Sequence, residues 1–505
     1  MTSAAEADDT RLARNVWLII AGLVLLRLVA AAVTPITFDE AYYWMWSKHL
    51  AGGYYDHPPM VAVVIRLGTL IGGDSEFGVR CVSILLGLPM SYAVYRTAEI
   101  LFGSVRVAAT AALLLNVTLM AAVGTLIVTP DAPLLVASSF VLFFCAKVLE
   151  TGRGAWWLAV GAAVGTALLS KYTALFFGAA ILIWLVAVPK MRPWLASLWP
   201  YLGGVVAFAI FSPVILWNAD HQWVSLIKQL GRARVEEVRP VYIAEIIPTQ
   251  FAFATPLVFI LGVMGLYGLA RRRAGDAAGR VLIEATVWVI VAYFAWHSLH
   301  ARVEANWFAP IYPAFVVAAA AAAHLVAWGP REQRTAAFCL RWALPAGVVM
   351  FVALIVQANT GLLSGYKRDA TVRSVGVGWR PLAAEVEKAR VRAGTACVLA
   401  MDYGTTAWLS FYLPQGTCVL QPIQRIRWVN FPEPDPAMLA GTQLLVDEAQ
   451  IASRFYVTST FGRVEKIGEA PRMRGPLTIE TYAFYALSEP KGEILDRSPP
   501  PELQR

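Results

Sequence analysis

The sequence predicts a polytopic α-helical membrane protein, with about eleven transmembrane helices and a C-terminal soluble α/β domain. Three observations predict it. Hydrophobic residues make up 58% of the 505-residue chain and charged residues 15%, well below the roughly 25% charge of a soluble domain. Apolar runs close to the roughly 20 residues that cross a bilayer recur as far as residue 359. Beyond that point short strand-like and helix-like runs alternate, as in a small α/β fold. The net charge of +8 sits in small basic clusters between the apolar runs, where it reports topology and forms no nucleic-acid-binding stripe.

Residues 1–13 read as a cytoplasmic N-terminus. The first ten carry acids and no bases. No small-residue cleavage site follows the next apolar run, so 14–33 is expected to be a retained helix and not a cleaved signal. Arg27 within it is expected to face other helices. Further spans are expected at 78–101, 107–127, 132–149, 155–170, 172–189, 195–217, 248–270, 280–297, 306–327 and 340–358, completing a membrane domain over 14–359. Arg11 and Arg14, Arg96 and Arg106, Lys147 and Arg153, and Lys190 and Arg192 fall on alternate connections. So do Arg271, Arg272 and Arg273 with Arg280, and Arg331, Arg334 and Arg341. By the positive-inside rule these connections are cytoplasmic. The N-terminus is then inside and, with an odd number of helices, the C-terminal domain is outside. The same threading gathers Asp39, Glu40, Asp56, His57, Asp131, Lys171, His221, His300 and Arg302 at the outer face.

Two outer loops are long, 34–77 and 218–247. In the first, the aromatic segment with Tyr42, Tyr43, Trp44, Trp46 and Lys48 suits headgroup depth. The apolar stretch 59–71 is too short to span and reads as an interfacial helix. The second loop carries His221, Gln222, Trp223, Lys228, Gln229, Arg232 and Arg234.

The α/β domain is placed at 360–488. It is expected to run helix 381–392, strand 396–401, helix 405–412, strands 417–420 and 443–446, helix 449–460, then strands 464–467 and 482–486. Residues 489–505, with Pro499, Pro500 and Pro501, read as a disordered tail. Cys81, Cys145 and Cys339 read as small core residues. Cys397 and Cys418 lie in strand-like runs and could pair if the domain is extracytoplasmic; their spacing leaves the question open.

The densest chemical signal is Thr37-Phe38-Asp39-Glu40-Ala41-Tyr42-Tyr43, which opens the first outer loop. Adjacent carboxylates at the mouth of a membrane helix are costly to bury and mark function. A site on the outer face has no ATP or nucleotide sugar to draw on, and the chain has no phosphate-cradling glycine loop or Walker lysine. Its donor would arrive through the bilayer, activated and amphiphilic, as a polyprenyl-phosphate sugar is. Transfer then needs a carboxylate at the attacking group, cations at the departing phosphate and a groove for the lipid tail.

Asp39 is the first candidate for that carboxylate, with Glu40 and Asp131 (in Thr129-Pro130-Asp131) beside it. The plainer readings are an acid pair favoured by a helix dipole and a helix cap. Tyr42, Tyr43, Asp56, His57, Arg80, Lys171, His221 and Arg302 are the substrate-binding candidates, the cations among them for phosphate. Snorkelling is the plainer account of Lys171 and Arg302. The chemistry requires no cofactor. Asp56, His57, His221, His297 and His300 could gather a divalent metal, although no His-Glu-x-x-His spacing is present.

At these residues the chain resembles the membrane glycosyltransferases of the C-type (GT-C) fold, specifically the dolichyl-phosphate-mannose–protein mannosyltransferase superfamily with its bacterial aminoarabinose-transferase branch. Asp39-Glu40 matches the family's Asp-Glu at the start of the first outer loop. Asp56-His57-Pro58-Pro59 is similar to its Asp-x-His-Pro-Pro turn, one residue shorter. The aminoarabinose branch has Glu-Lys-Pro-Pro there, with Lys on the lipid phosphate, where this chain has His57. Phe77-Gly78-Val79-Arg80, Thr129-Pro130-Asp131, Ser170-Lys171-Tyr172-Thr173 and Trp217-Asn218 with His221-Gln222-Trp223 extend the likeness over about 15–360.

The resemblance implies inverting transfer of a sugar from a polyprenyl-phosphate donor to a lipid, glycan or protein acceptor. The site would be a cavity at the periplasmic face of a bacterial inner membrane. Alanine- and arginine-rich usage fits a Gram-negative host. A transporter or flippase of lipid-linked sugar is the alternative. It would place ionisable groups near the midplane and show repeated halves, whereas the acids here cluster at one surface. A scaffold that binds envelope glycans through its C-terminal domain would leave Asp39 without a task.

Overall fold

The computed structural model describes residues 2–231, 239–362, 369–448, 454–500 and 503. Arg232 and Arg234 of the expected loop 218–247 lie outside them, as does the start of the expected helix 449–460. Among the described residues, seven helices are long and apolar enough to cross a membrane. They are Ala7–Val33, Glu76–Phe102, Asp131–Thr151, Leu198–Asp220, Ala277–His297, Ala305–His324 and Pro330–Thr360. Two bent pairs, Tyr172–Ala187 with Pro189–Ala196 and Ile243–Phe253 with Pro256–Ala270, turn through 115° and 111°. Val105–Val117 and Trp156–Leu168 are apolar but shorter. All eleven expected positions are thus helical, and the departures from regular spans have local causes.

The run 107–127 stops as a helix at Val117, because Thr118 turns extended (ψ 141°) and its side chain caps a new short helix, Leu119–Ala122. The second bend falls where Thr255, at φ 63°, precedes Pro256, a position that disfavours helix. Trp156–Leu168 and Leu198–Asp220 approach backbone to backbone at Gly161 and Gly203. A Cβ on Gly161 would stand 2.0 Å from the Gly203 carbonyl oxygen, the close approach that small residues permit between membrane helices.

Two helices lie between the first span and the second: α1 (Phe38–Lys48) and α2 (Met60–Gly72). They occupy the two stretches expected to be interfacial. The C-terminal domain rests on them. Its helix Trp379–Ala393 leads into β1 (Cys397–Leu399), helix Tyr403–Tyr412, β2 (Cys418–Leu420), β3 (Gln443–Glu448), helix Arg454–Thr460, β4 (Phe461–Arg474) and β5 (Leu477–Pro490). The sheet order is β2-β1-β3-β5-β4. β1 runs parallel to β2 and β3, and the rest is antiparallel. The helix Tyr403–Tyr412 makes the crossover that a parallel β1–β2 pair requires.

The β4–β5 hairpin has 14 residues in each strand, far longer than the runs expected at 464–467 and 482–486. Most of the first half of β4 is exposed, so apolar alternation does not mark it. Cys397 and Cys418 face each other across β1 and β2 and form a disulfide. Part of the stretch expected to be a disordered tail packs on the domain. Ile494 and Leu495 are buried, and the Asp496 amide donates to the Pro422 carbonyl at 2.8 Å. Two apolar side chains are enough to seat that stretch.

The seam between the domain and the membrane part is a shared core. Tyr42 and Trp46 of α1 pack in one cluster with Trp379, Trp408 and Trp428. Both Gly376 N and Trp408 Nε1 donate to the Ile36 carbonyl, at 2.9 and 3.0 Å. Thr37 forms a β-bridge with Val375. The segment between the first two spans is therefore roofed by the C-terminal domain.

Candidate active site

The site begins with how α1 starts. Thr37 is its N-cap: Glu40 N donates to Thr37 Oγ1 at 3.2 Å, and Thr37 N donates back to Glu40 Oε2 at 3.0 Å. This reciprocal capping box needs Glu at the third helical position. It turns Glu40 inward, and Asp39, about 100° away around the helix, to another side.

Glu40 is wholly buried. Arg80 Nε donates to its Oε1 at 2.7 Å and Nη2 to its Oε2 at 2.6 Å. Val128 N donates to Oε1 at 3.1 Å. Arg80, also wholly buried, donates further to the carbonyls of Ala31, Thr34 and Pro35. The pair ties the end of the first span to α1 and to the Glu76–Phe102 helix. Glu40 and Arg80, candidates for catalysis and substrate binding, are both enclosed by protein partners.

Asp39 is different. It is half-buried and accepts one hydrogen bond, from Tyr403 Oη at 3.1 Å. Burial pushes its carboxyl up to about 6. The neighbouring carboxylates of Asp56 and Glu40 add to the rise, and the Tyr403 hydroxyl and Arg427 oppose it.

Asp56 lies close by in the opposite state. Lys228 Nζ donates to its Oδ1 at 2.6 Å. Oδ2 accepts from Arg427 Nη1 and, at 3.0 Å, from Tyr42 Oη. Burial alone would raise its carboxyl, but the two cations overcome that and hold it at about 2. The cations are stacked as well as paired. Lys228 stands 3.7 Å above the Tyr55 ring, and Arg427 lies 4.8 Å from the Tyr403 ring. Tyr42 completes an aromatic wall, 5.0 Å from Tyr403 and 5.5 Å from Trp428. Tyr43 is buried beside it, with the His57 ring edge-on at 6.4 Å. Two carboxyls thus sit in one aromatic enclosure, one close to neutral pH and one locked as an anion. Such divergence marks acid–base sites.

A second constellation joins two helix ends. Lys171 Nζ donates to both Asp131 oxygens, at 2.7 and 3.0 Å, and Asn306 Nδ2 donates to Asp131 Oδ2 at 2.6 Å. Asp131 opens the helix Asp131–Thr151, and Asn306 lies in the 3-10 turn Ala305–Ile311. Lys171 and Asp131 are both buried.

The remaining expectations find plainer surroundings. His221 caps the Leu198–Asp220 helix; its Nδ1 lies 2.7 Å from the Trp217 carbonyl and its ring stacks on Trp217 at 4.2 Å. Arg302 is exposed and pairs with Glu245 at 3.1 Å. The His297 and His300 rings lie 4.8 Å apart. Among the described residues no group of three or more His, Cys, Asp or Glu is placed to hold a metal ion.

Tyr403, Arg427 and Asn306 were not anticipated, and Lys228 had been noted only as a loop residue. Tyr403 and Arg427 come from the C-terminal domain, 364 and 371 residues from their partners. The one local hint is Arg425-Ile426-Arg427-Trp428, bases set against an aromatic in an otherwise ordinary loop.

The chain is similar to several known proteins. Residues 56–217 match the family described as dolichyl-phosphate-mannose-protein mannosyltransferase. A lipid A galacturonosyltransferase, RgtD of Rhizobium johnstonii, is 26% identical over 324 residues, 61% of this chain and 65% of that protein; the match thus spans just under two thirds of the relative. The crystal structure of ArnT from Cupriavidus metallidurans bound to undecaprenyl phosphate superposes with a TM-score of 0.65. It covers 93% of this chain and 97% of that one at 17% identity. The apo form of the same protein gives 0.63 at 16% identity, covering 94% and 98%.

Proposed function

We propose that this chain is a membrane glycosyltransferase of the C-type fold, transferring a sugar from a polyprenyl-phosphate donor to an envelope lipid, glycan or protein; the family match over residues 56–217 and the shared fold support the reading. The observation that carries the reading is the half-buried Asp39 carboxyl, raised to about 6, beside two cations that Asp56 fixes against an aromatic wall.

Asp39 takes the proton of the acceptor hydroxyl as that oxygen bonds to the anomeric carbon. The bond from that carbon to the phosphate oxygen breaks in the same displacement, and the polyprenyl phosphate leaves with the electron pair. A single displacement inverts the anomeric centre. Lys228 and Arg427, with Lys171 held by Asp131, meet the charge that develops on the phosphate. Tyr42, Tyr43 and His57 flank the sugar. The step as written uses no cofactor.

The site faces the periplasm of a bacterial inner membrane, with the N-terminus cytoplasmic. The basic clusters on alternate connections support this. So does the Cys397–Cys418 disulfide, a bond that persists in oxidising compartments. The test is mass spectrometry of envelope lipids and glycans from cells lacking the gene, complemented with wild type or with Asp39→Asn. A sugar modification present only with wild type is expected. Identical profiles in all three strains would sink the proposal.

A further inference from the structure

Away from Asp39, a pocket of about 500 Å³ opens where the C-terminal end of α1 meets β2, the edge strand of the sheet. Small-molecule sites run about 300–1,000 Å³. Its walls combine aromatic faces with one buried cation. The His49 ring lies 4.7 Å from that of Phe431, and Phe431 lies 5.3 Å from Trp428. The side chain of Arg425 is 9% exposed. Its Nη1 donates to the Gln421 carbonyl at 3.1 Å, and Nη2 reaches Glu433 at a long 3.5 Å. Its Nε has no hydrogen-bond partner among the described residues. A guanidinium carries five N–H donors, and Nη1 and Nη2 each use one here, the second at a long reach, which leaves Nη donors of this largely enclosed cation for an anion in the pocket. Burial pulls its pKa below the ordinary arginine value.

We propose that this pocket binds an acidic sugar residue, a pyranose bearing a carboxylate or a phosphate, with its apolar face on Phe431 and Trp428 and its anionic group on Arg425. The backbone ties the pocket to the first site. Gln424, at φ 53°, swings the chain into the 3-10 turn Arg425–Trp428. One end of that turn sends Arg425 to the pocket, and Arg427 reaches Asp56. Trp428 stands between the two, its ring 5.5 Å from Tyr42 and its Nε1 donating to Gln421 at 3.0 Å. Resting on the transferase reading, the pocket recognises the acceptor, and the turn that carries Arg425 and Arg427 joins it to the transfer site.

The test is calorimetric titration of the full-length, detergent-solubilised Asp39→Asn protein, with no sugar donor present. The probes are a glucuronate-terminated disaccharide, a phosphorylated disaccharide and a matched neutral disaccharide. The better acidic probe should bind about tenfold tighter than the neutral one, the scale of a hydrogen bond to a charged group. Arg425→Gln should remove that preference. Glu433→Gln, at an exposed position, removes a competing carboxylate and should widen it. Preference for the uronate assigns a carboxylate ligand, and preference for the phosphate assigns a phosphate. Equal binding of acidic and neutral probes overturns the proposal, as does a preference unchanged in folded Glu433→Gln. The readout is binding alone, so a failed pocket and a failed transferase reading give separate results.

Discussion

Asp39 and Glu40 are adjacent and chemically alike, and the fold gives them opposite work. Burial, followed by the carboxylates of Asp56 and Glu40, lifts the Asp39 carboxyl to about 6. If its anion accepts the acceptor's proton, kcat/KM should fall on the acid side of a pKa near 6. Two substitutions should move that limb in opposite directions. Tyr403→Phe removes a hydrogen bond that favours the anion, so the limb moves to higher pH. Asp56→Asn removes a repelling charge and releases Lys228 and Arg427 toward Asp39, so the limb moves lower. pH–rate profiles of the two variants decide the matter; shifts of the same sign would assign the limb to another group. Asp39→Asn should lower kcat by about 100- to 10,000-fold. Stability should respond the other way. A carboxyl whose folded pKa lies above its unfolded value stabilises the protein at low pH, and that contribution is lost as pH rises through about 6. At pH 7 Asp39→Asn should therefore melt at the wild-type temperature or above it.

At the scale of the element, α1 owes its position to the capping box and to the pair Glu40–Arg80. Both side chains of that pair are 0% exposed, and removing one partner strands the other's charge. Glu40→Gln and Arg80→Met should each destabilise the protein by roughly 3–5 kcal/mol, read as a fall in melting temperature. The folded fraction of Glu40→Gln should keep far more transfer than Asp39→Asn. Equal losses would return Glu40 to the catalytic group. Lys171→Ala should weaken donor affinity more than acceptor affinity, checked by direct binding of each. The sequence carries the capping box openly as Thr37-x-x-Glu40, yet the acid pair drew attention to charge and away from spacing. What was legible was local: apolar length gave all eleven helical positions, and short apolar runs set between helix-like ones gave β1 to β3. Tyr403 and Arg427 were hard to read because their partners lie 364 and 371 residues away; the bases beside Trp428 mark Arg427 only faintly, and nothing local marks Tyr403. β4 was cut short because its exposed half has no apolar period to follow.

For the whole molecule, the consequence is that neither domain holds the candidate site alone. The membrane part supplies Asp39, Asp56 and Lys228, and the C-terminal domain supplies Tyr403 and Arg427. Anything that loosens the domain on the first outer loop should cost activity without touching the carboxylates. The disulfide offers the cleanest lever. It closes a sequence separation of 21 residues, for which loop-closure entropy gives a contribution of about 3 kcal/mol. It joins β1 to β2, the strands on either side of the helix that begins with Tyr403. The double variant Cys397→Ser/Cys418→Ser should lower the melting temperature and raise the acceptor KM, while the acid limb near pH 6 stays with Asp39 in the molecules that remain folded. The same bond reports topology, because it forms only where the compartment oxidises it. Thiol labelling in intact cells should find Cys397 and Cys418 blocked until reduction, and reporter fusions should place residues 39 and 131 on the same, outer side. Free thiols at both positions, or fusions on opposite sides, would separate the two halves of the site and leave Asp39 with neither Arg427 nor a lipid-borne donor to meet.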